Sequence, residues 1–267
     1  MQNDFDLEQT LLCGQCFRFW KTAPEEYLVA AGDRATLARQ DGAGAAIASP
    51  DPFWRDYFDL ATDYGAVKDE LSRGDPVMEE AIAFAPGIRL LRQDPWETLI
   101  SFIISQNNRI PQIRRVIENI CGKYGATMPE NPALRAFPTR GALAAADAPS
   151  LMECRAGFRA DYILSAARSG VDLDALGELP DAELQRELMS LRGVGEKVAN
   201  CVMLFGFGRR GRYPVDVWIG RATRILYFGG ADVPLADIRR FAEEKWGNLA
   251  GYAQQYLFHF ARMREVK

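Results

Sequence analysis

The spacing of apolar positions along the chain changes character once. Early on, Phe17-Arg18-Phe19 alternates, Tyr27-Leu28-Val29 is a short apolar run, and Ala35-Thr36-Leu37-Ala38 follows. Gly32-Asp33 and Asp41-Gly42 supply turn chemistry between and after these runs, and short strands joined by tight turns predict an antiparallel sheet. The Gly/Ala-rich stretch Asp41 to Ser49 predicts a mobile loop, and the aromatic-rich stretch Asp51 to Tyr64 a helix or loop that covers the sheet. From Asp94 onward the period is helical. Asp94-Pro95-Trp96-Glu97 places an acid at the N-cap and proline at the first helical position. Trp96, Leu99, Ile100, Ile103 and Ile104 then predict one buried face. The polar run Ser105-Gln106-Asn107-Asn108 interrupts. Ile113, Val116, Ile117 and Ile120 restart the period, with Gly122 as its predicted end. The segment from 129 to 149, with several prolines, predicts a connector with short helical pieces. No internal repeat or low-complexity tract is present.

Within 181–207, Leu184, Leu188 and Leu191 form one stripe and Val198, Val202 and Phe205 another, separated only by Arg192-Gly193-Val194-Gly195. Two glycines two apart let the backbone turn sharply and approach a ligand closely. Amides at the start of the second helix then face outward at the positive end of its dipole, which suits phosphate. The plainer reading is an αα-hairpin with a glycine turn.

Composition narrows the class only a little. With 48% hydrophobic and 25% charged residues over 267 positions, the chain reads as an ordinary soluble globular protein with one to three compact parts. No run of 18 apolar residues predicts a membrane span, and the opening MQNDFDLEQT is no signal peptide, so an intracellular protein is expected. Five scattered cysteines (Cys13, Cys16, Cys121, Cys154 and Cys201) fit thiols in a reducing compartment. The net charge of −4 argues against nucleic acid, but its distribution softens that. From Cys201 onward eleven Lys/Arg face six Asp/Glu, a net +5, leaving −9 on the first 200 residues. A basic face on an acidic body is compatible with phosphate binding.

The segment Leu191-Arg192-Gly193-Val194-Gly195-Glu196-Lys197-Val198-Ala199 resembles the helix-hairpin-helix motif of the DNA glycosylase superfamily, and Tyr213-Pro214-Val215-Asp216-Val217 resembles its loop ending in a catalytic aspartate. Cys13-Gly14-Gln15-Cys16-Phe17-Arg18-Phe19-Trp20 is similar to an N-terminal signature of the 8-oxoguanine DNA glycosylase/AP lyases. Phe102 to Asn108, Gly157 to Tyr162 and Gly251 to Phe258 resemble that family's asparagine-rich junction, strand-intrusion segment and base-pocket helix. The resemblance implies an α+β fold: a small N-terminal antiparallel β domain (1–90), followed by two helical subdomains (91–267) carrying the helix-hairpin-helix motif (181–207). The active site is expected at the subdomain cleft. It implies a bifunctional glycosylase/AP lyase of base excision repair. The expected partner is double-stranded DNA containing 8-oxoguanine. No cofactor, membrane or resident metal is implied beyond a monovalent cation on hairpin backbone carbonyls. A monomer is expected, in the cytoplasm or nucleoid of a bacterium or the nucleus of a eukaryote.

By the same resemblance Lys197 is the nucleophile and Asp216 stabilises positive charge on the sugar. Lys197 falls in the first turn of a helix, where the dipole disfavours an ammonium; the alternative is a solvated surface lysine. The alternative for Asp216 is a helix N-cap, because Ile219, Ala222, Ile225 and Leu226 begin a stripe just after it; both roles can hold together. The Gly14 carbonyl would accept from N7–H of the lesion, or Gly14 is only a turn. Gln254 would read the base edge, Phe258 would stack on the base, and Cys201, one turn after Lys197, would form the opposite pocket wall or serve as a small buried hydrophobe. Helical geometry adds that Gln254 and Phe258 share a face apart from the stripe of Leu249, Tyr252, Ala253, Tyr256, Leu257 and Phe260. Asn107 would fill the gap left by the flipped base beside Asn108. Phe158 and Arg159 would wedge and pair near the orphaned partner, and Gly193, Val194 and Gly195 would meet the DNA backbone.

This chain departs from the better-known eukaryotic pattern at three places. Phe158 stands where tyrosine is usual, Gln112 where an arginine contacts the orphaned cytosine, and Trp218 where a histidine contacts phosphate. A relaxed opposite-base preference follows. Cys13-Gly14-Gln15-Cys16 has the form of a redox or zinc motif but lacks a βαβ context and further ligands, and His259 reads as structural. No cysteine follows Cys201 to hold an iron–sulfur cluster. Two rivals stand beside this reading: a glycosylase for alkylated purines, against which Lys197 weighs, and a non-catalytic DNA-binding module using the hairpin alone.

Overall fold

The structure, a computed structural model, describes residues 4–41, 44–128 and 131–264. It opens with helix α1 (Leu7–Leu12), capped by the Asp6 carboxylate on the Gln9 amide at 2.8 Å. Strands β1 (Phe19–Ala23), β2 (Glu26–Ala31), β3 (Arg34–Asp41) and β4 (Gly44–Ile47) form one sheet in the order β1-β2-β3-β4. Strands β1 and β2 are antiparallel, with Phe19 opposite Val29 and Lys21 opposite Tyr27. Gly32, at φ +58°, makes the turn expected after β2. The turn expected at Asp41-Gly42 lies partly outside the described residues. Within the loop expected across 41–49, residues 44–47 instead form β4: small residues still supply backbone groups for the ladder, so a Gly/Ala-rich composition did not exclude a strand.

Aspartates start the next four helices. In α2 (Pro52–Tyr57), α3 (Tyr64–Ser72), α4 (Pro76–Phe84) and α5 (Pro95–Ser105) the side chain of Asp51, Asp63, Asp75 or Asp94 accepts a first-turn amide. Three of the four have proline at the first position, where no N–H is needed. The Asp94-Pro95 signal that predicts α5 therefore recurs at Asp51-Pro52 and Asp75-Pro76. Next come α6 (Ile110–Tyr124), α7 (Arg140–Ala144), α8 (Ala148–Glu153), α9 (Arg159–Arg168) and α10 (Leu173–Gly177). Gly122 does not end α6. A Cβ there would meet nothing, so the helix continues through it, and it stops at Gly125, where a Cβ would overlap the Ala136 carbonyl. Helices α11 (Asp181–Ser190) and α12 (Glu196–Cys201) form the hairpin, and α12 runs on into a π-helical turn, Val202–Gly206. Helices α13 (Val217–Phe228), α14 (Leu235–Trp246) and α15 (Ala250–Met263) complete the chain. Among the described residues no helix is long and apolar enough to cross a membrane.

The chain divides into two compact units that interleave in sequence. One comprises residues 1–16, 39–92 and 208–267, the other 17–38 and 93–207. The first is held by aromatic packing of Phe5, Trp54, Tyr57 and Phe58 and by α15. Helix α15 is buried on nearly every side; Gln254 is buried with the rest, and only Phe258 is half-exposed along 250–261. The two-faced helix expected from spacing is thus enclosed all round. Residues Leu99, Ile100, Ile103 and Ile104 of α5 are fully buried in the second unit. Thr98, Ser101 and Phe102 are buried too, so the apolar stripe is wider than its spacing indicates. Phe102 stacks on Phe205 at 5.5 Å and 12° between planes. Arg18, 4% exposed, pairs with Glu97 at 3.3 Å and donates to the carbonyls of Gly32 and Arg135, while Glu97 accepts from the Gly32 amide at 2.7 Å. Burial pushes the Glu97 carboxyl up, and Arg18 opposes that. A buried charge is tolerated when its hydrogen bonds are met in this way.

His259, the single histidine of the sequence, is buried beside Phe84, with ring centroids 6.0 Å apart. Burial and the nearby Arg262 charge hold its pKa below the ordinary 6.5. The folded protein therefore keeps it neutral, while the unfolded chain binds its proton near pH 6.5, so stability falls as pH drops through that value. Urea midpoints of wild type and His259→Phe at about pH 7.5 and about pH 5.5 check this. The wild type loses more stability on acidification than the variant; equal losses would show that His259 does not carry the effect.

Candidate active site

The candidate residues fall into two groups, one in each unit. In the second unit the chemistry gathers at the end of α5. Lys197 is the second residue of α12, directly after the glycine turn, and its half-buried side chain lies on α5. Its Nζ donates to Ser105 Oγ at 3.2 Å and sits 5.0 Å from the centre of the Phe102 ring. The Ser105 hydroxyl donates to the Phe102 carbonyl at 2.7 Å, leaving its lone pairs for the lysine. A primary amine is thus held, half-buried, against an aromatic face and a hydroxyl. Cys201, one turn on, is buried at the end of the same helix.

Why α12 starts where it does is a matter of sterics. Gly193 has φ +82°, and any Cβ there would overlap the Tyr162 ring of α9. Val194 is buried, its amide bonded to the Leu191 carbonyl at 3.0 Å, and Gly195 is exposed in extended geometry as the N-cap of α12. Tyr162 meets Phe158 edge-on at 5.9 Å, and Phe158, 53% exposed, lies 4.4 Å from the Arg159 guanidinium. Arg159 is buried at the start of α9, and its guanidinium points back to the carbonyls of Gln106 and Asn107. Asn107 itself is exposed at φ +48°. Asn108 closes the turn on itself, donating to the Ile104 carbonyl at 3.2 Å and accepting from the Arg109 amide at 2.9 Å.

In the first unit Asp216 caps α13, its Oδ1 accepting from the Ile219 amide at 2.8 Å. The N-cap reading therefore holds, and one carboxylate oxygen remains for other work. Val217 and Trp218, next in the chain, are exposed, Trp218 at 49%. Gln254 donates to the Pro214 carbonyl at 3.4 Å and accepts from the Gln255 side-chain Nε2 at 2.7 Å, tying α15 to the loop that carries Asp216. Phe258 is one turn further along α15. Gly14 has φ +82°, so the turn reading also holds. That turn is pinned by Gln15, which donates to the carbonyls of Thr10 and Arg89 and accepts from the Leu91 amide at 2.8 Å. Cys13 and Cys16 are buried thiols, and burial pushes Cys13 up to about 12, the opposite of the low-pKa thiolate that redox or zinc chemistry needs. Among the described residues no three His, Cys, Asp or Glu side chains cluster as metal ligands.

Sequence reasoning missed Ser105 and Phe102 as the seat of the lysine, Tyr162 as the partner of Gly193, and Gln15 as the pin of the Gly14 turn. Only Tyr162 carried a signal, its spacing of three from Arg159 on one helix.

Comparison with known proteins adds a family. Residues 1–99 match the family model described as 8-oxoguanine DNA glycosylase, N-terminal domain, and residues 100–248 match that of the HhH-GPD superfamily base excision DNA repair proteins. The chain is similar to the Clostridium acetobutylicum 8-oxoguanine glycosylase/lyase solved with double-stranded DNA containing cytosine opposite 8-oxoguanine. That likeness has a TM-score of 0.93 and 40% identity, over 98% of this chain and 93% of that one. It is 30% identical to a probable N-glycosylase/DNA lyase of Methanothermobacter thermautotrophicus, over 97% of this chain and 94% of the relative. It is 36% identical to the N-glycosylase/DNA lyase of Saccharomyces cerevisiae, over 64% of this chain; that match spans only 56% of the yeast protein.

The capping bond of Asp216 can be separated from its charge. Asp216→Ala removes both and costs about 1 kcal/mol of stability, whereas Asp216→Asn keeps an acceptor oxygen and changes stability by less than about 0.5 kcal/mol. Denaturant titration of the two variants checks this, and equal losses would mean that the charge, not the capping acceptor, carries the stability.

Proposed function

The chain belongs to the HhH-GPD superfamily of base excision DNA repair proteins, in its 8-oxoguanine glycosylase/DNA lyase branch, and from that premise we propose that it excises 8-oxoguanine from duplex DNA through Lys197 and then cuts the strand. The observation that carries the reading is the seat of Lys197, at the start of α12 with its amine on Ser105 and Phe102. A DNA-binding module has no use for a lysine amine seated on a hydroxyl and an aromatic ring beside its hairpin.

The reaction needs the target nucleotide out of the stack. The Lys197 amine attacks C1′ as the N-glycosidic bond breaks and the oxidised base leaves with the bonding electrons. Positive charge grows on the sugar as that bond lengthens, and the Asp216 carboxylate stabilises it. The covalent sugar then opens to a Schiff base on Nζ. Loss of a C2′ proton expels the 3′-phosphate by β-elimination and nicks the strand. Recognition falls to the residues named in the resemblance. The Gly14 carbonyl accepts from N7–H, which guanine lacks, so guanine would leave that acceptor facing a lone pair. Gln254 reads the base edge, and Phe258 and Cys201 form the walls of the pocket. Asn107, with Asn108 beside it, fills the gap, Phe158 wedges the stack beside Arg159, and Gly193, Val194 and Gly195 present backbone to phosphate. The protein acts as a monomer inside the cell.

With Gln112 in place of an arginine, roughly 1–3 kcal/mol of partner-base discrimination is missing. Four duplexes, each with one 8-oxoguanine opposite C, A, G or T, test substrate and preference together. The wild type releases free 8-oxoguanine from all four at rates within about tenfold of each other, and Asp216→Asn releases at least about 100-fold less. No release from any duplex would sink the reading, and a strong preference for cytosine would overturn the relaxed pairing.

A further inference from the structure

Arg159 turns its guanidinium onto main-chain carbonyls. Its side chain, 8% exposed, folds back along α9 onto the junction after α5. Nε donates to the Gln106 carbonyl at 2.8 Å, Nη2 donates to that carbonyl and to the Asn107 carbonyl at 2.9 Å, and Nη1 reaches the Ala156 carbonyl at 3.4 Å. All three guanidinium nitrogens are therefore engaged with main-chain acceptors, while bidentate reading of a base edge needs two of them free.

The segment they hold needs holding. Asn107 lies at φ +48°, a conformation that L side chains other than asparagine and aspartate seldom adopt. The clamp fixes the carbonyl of Asn107 and the one before it, and Asn108 closes the turn from the other side with its own side chain. Among the described residues the Asn107 side chain has no hydrogen-bond partner, so the turn presents it outward. Phe158 covers the guanidinium at 4.4 Å and leans on Tyr162, which occupies the space at Gly193. The clamp is thus braced against the hairpin turn itself.

We propose that Arg159 is a positioning residue that acts through Asn107: it sets the backbone of the gap-filling turn and does not read the orphaned base. This rests on the glycosylase reading above, in which Asn107 fills the gap left by the flipped nucleotide. A turn displaced by an ångström or so would fill that gap poorly whatever base stands opposite, so the loss is blind to the partner.

Single-turnover excision by Arg159→Ala, Arg159→Lys, Asn107→Ala and the Arg159→Ala/Asn107→Ala double variant, each on duplexes with C, A, G or T opposite the lesion, tests this. Arg159→Ala slows excision by about 10- to 100-fold, by the same factor for all four partners. The double variant is no slower than the slower single variant, because both changes remove one device. Arg159→Lys recovers part of the rate, since one ammonium can serve one carbonyl but not the pair. A loss confined to the cytosine duplex, or a double variant whose losses multiply, overturns the proposal. If Arg159→Ala does not fold, Arg159→Lys carries the same comparison of partners. Amide hydrogen exchange at residues 107–109 of the DNA-free protein gives a readout independent of excision: it speeds up in Arg159→Lys, and unchanged exchange overturns the clamp. That arm stands even if the wild type releases no base, in which case the glycosylase reading has failed and the clamp has not.

Discussion

At the turn between α11 and α12 the backbone of Gly193 packs against the Tyr162 ring where no side chain fits. Two things follow from that one contact. The chain can reverse within the few residues from Leu191 to Glu196, so α12 begins at once and its second residue, Lys197, projects onto the end of α5. The Tyr162 ring, fixed by the turn, in turn supports Phe158 and through it the guanidinium that grips Gln106 and Asn107. Lys197, Phe158 and the Asn107 turn are therefore set by the same packing, and a side chain at 193 would disturb all of them together.

Both units fix their functional loops by satisfying buried polar groups rather than by adding apolar surface. Gln15 pins the Gly14 turn with bonds to Thr10, Arg89 and Leu91. Gln254 ties α15 to the loop before Asp216. Arg18 and Glu97 lock the turn at Gly32 onto α5. Such groups lose much when one partner is removed, because the other is then left unpaired in a poorly hydrated place. That asymmetry makes these loops stiff, and stiffness is what a site needs when it must tell bases apart by one acceptor or hold a reacting amine near C1′.

Much of this could be read from the residues alone, and what could not has physical reasons. The hairpin was legible because its apolar stripes and glycines sit within one short stretch, and Asp216 because a capping acid precedes a new stripe. Helix α5 was legible from its Asp-Pro start, but not its burial on several faces, which depends on elements distant in sequence. Strand β4 was not legible because Gly and Ala carry no period. The end of α6 at Gly125 rather than Gly122 depends on where the Ala136 carbonyl approaches, which no local rule contains. The roles of Ser105 and Phe102 lie 92 and 95 positions from Lys197. Arg159 shows the sharpest difference between residue type and placement: as an arginine in an intrusion segment it suggests a base contact, and in the fold it serves the backbone of its neighbours.

The central claim is that the amine on Ser105 becomes covalently bound to the sugar. Borohydride trapping on a duplex with one 8-oxoguanine opposite cytosine, using wild type and Lys197→Gln, tests it most directly, because reduction captures only a Schiff base. The account predicts a stable protein–DNA adduct with the wild type and none with the variant. An adduct that persists in Lys197→Gln would move the nucleophile elsewhere, and base release by the wild type without any adduct would make the enzyme purely hydrolytic and contradict the account.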